Sequence, residues 1–503
     1  MMPIVKNGGT VPLDEIPVLD YEAFGPRLKV DMEQEGRVAA YFGHLAAAGE
    51  VELFALIAHD WKGELHLLRS RVGYRFPSLT PEIPQLHLFE RELAEQFGVV
   101  PEGHPWLKPV RFHSSWVPGR DAWGRAAGEH PVPGDMEFYR VEGEEVHEVA
   151  VGPVHAGVIE PGHFRFQCHG EKVMHLEISL GFQHRGLEAL LRGGPQASTL
   201  PQLEAAAGDT TIGHATAYCQ VLEALSGCAV PPKGQVLRAV SLELERLANH
   251  VGDIGALAGD VGFLPTASFC GRIRGDYLNL SAELCGSRFG RGMIRPGGVG
   301  FDAEPVLVAH LLQRLAVIEQ DTRGAIELFF DSPSALARLE GTGKVATEDA
   351  ESLGLVGMAA RACGLAIDSR IHHPVGAYVD DFDHVVIEEG GDVFARAQVR
   401  RREIYDSIKQ IRYWLSRLPA GATRAEVAPL APDSLAVALT EGWRGEIVHV
   451  ALTDAVGRFS RYKVVDPSFR NWSGLAMALR EEQISDFPLC NKSFNLSYCG
   501  IDL

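Results

Sequence analysis

Between residues 235 and 257 the apolar side chains recur on one helical face: Val236, Leu237, Val240, Leu244, Leu247, Val251 and Ile254. A stripe of this length has to be buried against other elements, and a bundle of helices is the packing that suits it. Arg246 and His250, four apart, share a face of the same helix. Helical spacing returns at 276–285, at 306–329 beyond the glycine-rich MIRPGGVGF, and at 393–418. Residues 201–225 predict one more helix, interrupted near Gly208. The larger, C-terminal part of the chain is therefore expected to be mainly helical.

The rest reads differently. Residues 152–192 place His155, His163, His169, His184, Arg165 and Arg185 among glycines and short apolar runs. Alternation at 164–166 and 173–178 predicts hairpin strands, and Gln183-His184-Arg185-Gly186-Leu187-Glu188 opens a helix. Strands are also predicted at 51–57, 63–69, 445–452 and 460–465. Residues 32–48 read as a helix. Residues 81–97 contain another, with Phe89, Leu93 and Phe97 inward and Glu90, Arg91, Glu92 and Glu95 on a solvated face. Residues 112–148 are rich in Gly, Pro and charge and read as a linker. The fold class is thus α+β. A small α+β domain (1–111) and a linker (112–148) precede a mainly helical domain with peripheral hairpins (149–503).

A net charge of −19 argues against a nucleic-acid partner. No apolar run is long enough to cross a membrane, and no secretory signal is evident. The eight cysteines form no C-x-x-C pair, so neither a disulfide framework nor a zinc ribbon is suggested, and a reducing cytoplasm is the default. Cys168-His169, lacking further ligands nearby, is incidental.

In chain order the motifs resemble the large subunit of group 4 nickel–iron hydrogenases, of the formate hydrogenlyase kind, and the related C and D subunits of respiratory complex I, fused. The matching runs are Gly152-Pro153-Val154-His155, Pro161-Gly162-His163-Phe164-Arg165, His184-Arg185-Gly186-Leu187-Glu188 and Gly213-His214-Ala215-Thr216-Ala217-Tyr218. They continue through Glu245-Arg246-Leu247 with His250, Arg295-Pro296-Gly297-Gly298-Val299, and Asp368-Ser369-Arg370 with His373-Pro374. Residues 25–110 resemble the complex I C subunit through Glu90-Arg91-Glu92, Phe97-Gly98 and Gly103-His104-Pro105.

The resemblance implies where a nickel–iron centre would sit, and there the chain departs from it. The four thiolate positions fall at Ala207, Thr210, Ser497 and Gly500. Neutral hydroxyls and aliphatic groups are poor ligands for these soft metals. No metal is therefore expected in this chain, and hydrogenase activity is expected to be lost. In the complex I relative the vacated cavity is the inner end of a quinone site. His163 matches its histidine, while its tyrosine position falls at Gly208, leaving Tyr218 and Tyr498 as candidate hydroxyls.

Glu188 matches a proton-relaying glutamate, or else is a first-turn acid favoured by the helix dipole. Asp368 and Arg370 line the proton path or form a structural ion pair at the cavity wall. Arg246 and His250 approach a partner's iron–sulfur cluster, or complete an interhelical network. The C-terminal segment is expected to fold inward beside 207–214.

The function implied is a core peripheral-arm subunit of a membrane-bound oxidoreductase complex, in electron transfer coupled to proton or ion translocation. The alternatives are a hydrogenase with non-standard ligands and a structural assembly subunit. The implied partners are an iron–sulfur small subunit, a ferredoxin-like iron–sulfur subunit and antiporter-like membrane subunits. A quinone is the ligand the cavity would take. The implied location is the cytoplasmic, inner face of the cell membrane.

Overall fold

The start of the chain serves two sheets. The computed structural model describes residues 3–46, 49–126, 128–157 and 159–503. Ile4–Val5 pairs with the first sheet, and β1 (Thr10–Pro12) crosses over to pair antiparallel with Ser434, Leu435 and Ala436. Helix α1 (Tyr21–Glu33) follows, then an antiparallel meander of β2 (Arg37–Leu45), β3 (Val51–His59) and β4 (Glu64–Val72).

The helix expected over 32–48 is not formed. Gly36 makes the turn out of α1, where a Cβ would lie 2.4 Å from the Asp31 carbonyl oxygen, and Arg37–Leu45 becomes a strand. Its run of apolar and small residues is buried on both faces, so it lacks the period-two alternation that marks a half-buried strand.

Helix α2 (His87–Phe97) buries Phe89, Leu93 and Phe97 as expected, and ends at Gly98 with φ +62. Its acidic residues are not solvated: Glu90, Glu92 and Glu95 are all buried, Glu90 and Glu95 under the loops at 78–80 and 110–112 and Glu92 against Lys463. The expected linker lies against this junction. Trp116 packs edge-on to Phe97 and under the Arg192 and Arg461 guanidinium groups.

Regular structure resumes with β5 (Val146–Val151), β6 (His163–His169) and β7 (Lys172–Ser179), an antiparallel sheet with β6 central. The helix opening at Gly186 is one turn, α3 (Leu187–Leu190). The bundle is α4 (Thr211–Ser226), α5 (Pro232–Asp260), α6 (Leu264–Cys285), α7 (Pro305–Phe330) and α8 (Val393–Ser416). Helix α5 is its axis, packed on α6 and α8 along the predicted stripe.

A second sheet closes the molecule: β8 (Ser434–Glu441), β9 (Glu446–Thr453) and β10 (Phe459–Val465), in the order β10-β9-β8-β1. Sequence reading misses β8, a strand buried at every position. Helices α9 (Pro467–Ala478), α10 (Phe487–Phe494) and α11 (Tyr498–Ile501) follow. The C-terminus folds inward as expected. Ile501 and Leu503 are buried, and the Asp502 carboxylate accepts from the Gly181 and Gln183 N–H groups at 2.8 and 2.9 Å.

Candidate functional site

Two loops meet where α4 begins. One is the 204–210 turn before α4, the other the segment between α10 and α11. Gly208 N–H faces Ser497 Oγ at 3.4 Å, so the two segments expected to carry the ligand positions are together. Between them lies Arg444, from the β8–β9 turn. Its Nη1 donates to Gly208 O at 2.7 Å and to Thr210 Oγ1 at 3.0 Å, and its Nε donates to Asn495 O at 2.5 Å. The guanidinium is stacked on Trp443, 3.8 Å from the ring centroid.

The residues at the four positions do not fit a nickel–iron centre. Ala207 offers a methyl group. The Thr210 hydroxyl donates to Gly208 O and accepts from Arg444. Ser497 Oγ caps α11 by accepting from Gly500 N–H at 2.9 Å. A Cβ at Gly500 would lie 2.6 Å from Asp466 Oδ1. Cys499 Sγ, 3.4 Å from Ser497 Oγ, is the one thiol beside these groups, and burial pushes it up, away from the thiolate. One thiol cannot bridge and anchor two metals.

Beneath this junction runs a buried chain of titratable groups. Asp466 caps α9 through Ser468 N–H and meets His214 Nε2 at 3.1 Å. His214 Nδ1 meets His449 Nε2 at 3.1 Å, and His449 Nδ1 meets the Tyr462 hydroxyl at 2.9 Å. Burial raises Asp466, but His214 and Arg444 outweigh it and hold the carboxyl below its usual range. Burial, with His214 beside it, keeps His449 neutral.

The other expected residues fall in different places. Glu188 is fully buried, yet it is not the raised carboxyl a relay needs. Burial is overcome by Lys463, Arg461 and Arg111, and the Val464 N–H adds a hydrogen bond, so Glu188 stays ionised well below the usual carboxylate range. Lys463 Nζ bridges it, at 3.0 Å, to Glu92 of α2, at 2.6 Å. His163, at the start of β6, accepts from Arg165 Nε at 3.2 Å, and its ring lies against Phe138. Tyr498 packs on Gly162 beside it, with its ring on Trp472. Tyr218 is one turn past His214 on α4 and packs against Tyr462.

Asp368, Arg370, Arg246 and His250 belong to one buried ionic network. Asp368 pairs with Arg370 at 2.6 Å and caps the Ser369–His372 turn. Arg246 binds Glu243 and the Glu441 carbonyl, and His250 meets Glu403 at 2.8 Å. Arg361 joins Glu403 and Glu441, each at 2.7 Å. Burial and the neighbouring Asp368 push Glu441 up to about 7.

Another carboxyl, visible in the sequence only as part of a motif, lies beside the degenerate centre. Glu245 of α5 accepts from the Ile212 and Gly213 N–H groups at the start of α4, at 2.7 and 3.2 Å. Burial pushes it up to about 8. Sequence reading also passes over Arg444 and Asp466. Asp466-Pro467 is a legible helix start, with Asp at the N-cap and Pro at the first position. Nothing local marks Arg444, whose acceptors come from two distant loops.

Comparison with known proteins gives the family. Residues 260–436 match the family "Respiratory-chain NADH dehydrogenase, 49 Kd subunit", and residues 39–126 match its "30 Kd subunit" family. The carbon monoxide-induced hydrogenase of Rhodospirillum rubrum is 32% identical over 351 residues, 69% of this chain and 97% of the relative. The chain belongs to the group 4 hydrogenase large-subunit family, related to the C and D subunits of complex I. Formate hydrogenlyase subunit 5 of Escherichia coli is 29% identical over 85% of the chain and 77% of its own length. NADH-quinone oxidoreductase subunit 4 of Thermus thermophilus is 30% identical over 71% and 94%. Among the described residues no helix is long and apolar enough to cross a membrane.

Proposed function

We propose that this family member is the core peripheral subunit of a membrane-associated, complex I-like oxidoreductase assembly, and that it works without a nickel–iron centre of its own. Arg444 carries this reading: it ties Gly208 and Thr210 to Asn495 beside the four expected ligand positions, none of which bears a thiolate. The cation and the committed hydroxyls support a joint that transmits position between the C-terminal segment and α4, rather than a redox centre. Electron transfer, coupled to proton or ion movement, then runs through partners. These are an iron–sulfur small subunit, a ferredoxin-like iron–sulfur protein and antiporter-like membrane proteins, on the cytoplasmic face of the cell membrane. Under this reading a quinone head group would meet His163, next to Gly162 in sequence, and Tyr498, packed on Gly162.

Elemental analysis of the purified complex tests this directly. It should contain iron from the partner clusters and no nickel assignable to this subunit, and should evolve no hydrogen from reduced viologen. One nickel per chain at this junction, or hydrogen evolution by the isolated subunit, would overturn the reading. Expressed without its partners, the chain should aggregate or show exposed apolar patches, read as binding of a hydrophobic dye, since a permanent interface of this kind leaves apolar surface exposed. A stable monomer with activity of its own would refute the dependence on partners.

A further inference from the structure

A second group of ligating side chains lies in the N-terminal half. Asp31 is in the last turn of α1, His59 ends β3, and His66 lies in β4. The register pairs Ile57 with His66 and His59 with Glu64, so the two histidines are diagonal neighbours on one face of the sheet. All three side chains are buried, His66 being the most exposed at 7%.

Asp31 Oδ1 lies 3.2 Å from His66 Nδ1 and 3.7 Å from His59 Nε2, and the two rings are 4.1 Å apart. Two donors held at about 2.0–2.1 Å on one tetrahedral zinc ion are separated by about 3.4 Å. One donor atom from each residue falls within 4.8 Å of the other two, so the set closes on a single point.

The unpaired groups are an independent observation. Among the described residues, neither ring nitrogen of His59 makes a well-aligned hydrogen bond, nor does Asp31 Oδ2. The Gln34 carbonyl is the polar backbone group beside the His59 ring. A buried donor or acceptor left without a partner costs about 1–3 kcal/mol, and an ion here would take His59 Nε2 and, with the carboxylate bound through both oxygens, Asp31 Oδ2. Outside them, Glu64 Oε2 stands 3.5 Å from His66 Nε2, where a carboxylate orients a metal-bound imidazole. Lys62 and the half-exposed Arg27, 3.6 Å from Asp31 Oδ1, are the cations an ion would have to outcompete.

We propose that Asp31, His59 and His66 bind one divalent transition-metal ion, zinc by ligand type, with water in the fourth position. The ion fastens the end of α1 to the β3–β4 hairpin. It is structural, and independent of the degenerate centre.

The full-length chain, stripped with chelator and titrated with Co2+, should develop the visible bands of a tetrahedral nitrogen–oxygen site. These should saturate at one equivalent and disappear on adding Zn2+. Asp31→Asn and His59→Gln should each weaken binding at least about tenfold, whereas Cys499→Ser should leave it unchanged. Zinc should raise the unfolding midpoint of the wild type and of neither ligand variant. If the variants do not fold, X-ray absorption on the zinc-loaded wild type decides: imidazole and oxygen scattering without sulfur supports the site. A sulfur shell, thiolate charge-transfer bands, or the absence of saturable binding would overturn it, as would affinity unchanged in folded variants. Nickel retained in His59→Gln would belong to the degenerate centre instead, so the two proposals fail separately.

Discussion

Glu188 and Glu245 are both buried carboxyl groups; burial raises both, and at Glu188 alone do neighbouring cations outweigh it. Glu188 is surrounded by Lys463, Arg461 and Arg111 and stays ionised. Its contribution to stability is present above the usual carboxylate range and is lost as the pH falls through its depressed value. Glu188→Gln leaves two buried cations short of a partner and should cost about 3–5 kcal/mol near neutral pH, measured by denaturant unfolding. Glu245 faces peptide N–H groups and Asp209, with its pKa raised from 4.5 to about 8. Through that window the folded chain keeps a proton that the unfolded chain has released, so Glu245 costs more stability as the pH rises. Thermal unfolding of Glu245→Gln should therefore gain on wild type between about pH 5 and about pH 9. A difference that stays flat with pH would mean that Glu245 is ionised throughout.

Helix α2 shows what an element's charges mean once its surroundings are known. Glu90 accepts from the Leu79 N–H and the Thr80 hydroxyl, and Glu95 from the Val110, Arg111 and Phe112 N–H groups. Glu92 reaches across to Lys463 of β10. One face thus organises the loops beside it and joins the two halves of the chain. Charge pairs without solvent between them couple strongly. A double-mutant cycle on Glu92→Gln and Lys463→Met should return a coupling of about 1–3 kcal/mol. A value near zero would show that the pair is screened and the two halves separately stable.

At the scale of the molecule, the C-terminal segment closes the junction. Asp502 satisfies two N–H groups before α3, the Ile501 carbonyl accepts from Arg111, and Tyr498 packs on Trp472. Deleting residues 498–503 removes these contacts together and leaves the Arg111 guanidinium without one of its acceptors. The truncated chain should lose several kcal/mol, at about 1–3 kcal/mol for each buried polar group left unpaired. It should also fail to co-purify with its partners. Truncation that leaves both the unfolding midpoint and co-purification unchanged would mean that the tail is not part of the joint.

Periodicity by itself determined the bundle. The stripe on α5 and the helices at 306–329 and 393–418 appear within a few residues of where the spacing places them, because an amphipathic helix records its buried face at every turn. The resemblance of the ordered motifs, rather than periodicity, is what points to Ala207, Thr210, Ser497 and Gly500 as ligand positions. Only the tertiary structure decided what those places do. Strands β2 and β8 are buried on both faces, which erases the alternation that identifies a strand. The ionisation of Glu188, the neutrality favoured at Glu245 and the role of Arg444 depend on groups tens to hundreds of residues away. Solvation and charge are properties of the space around a side chain, and that space is assembled from segments remote from it in sequence.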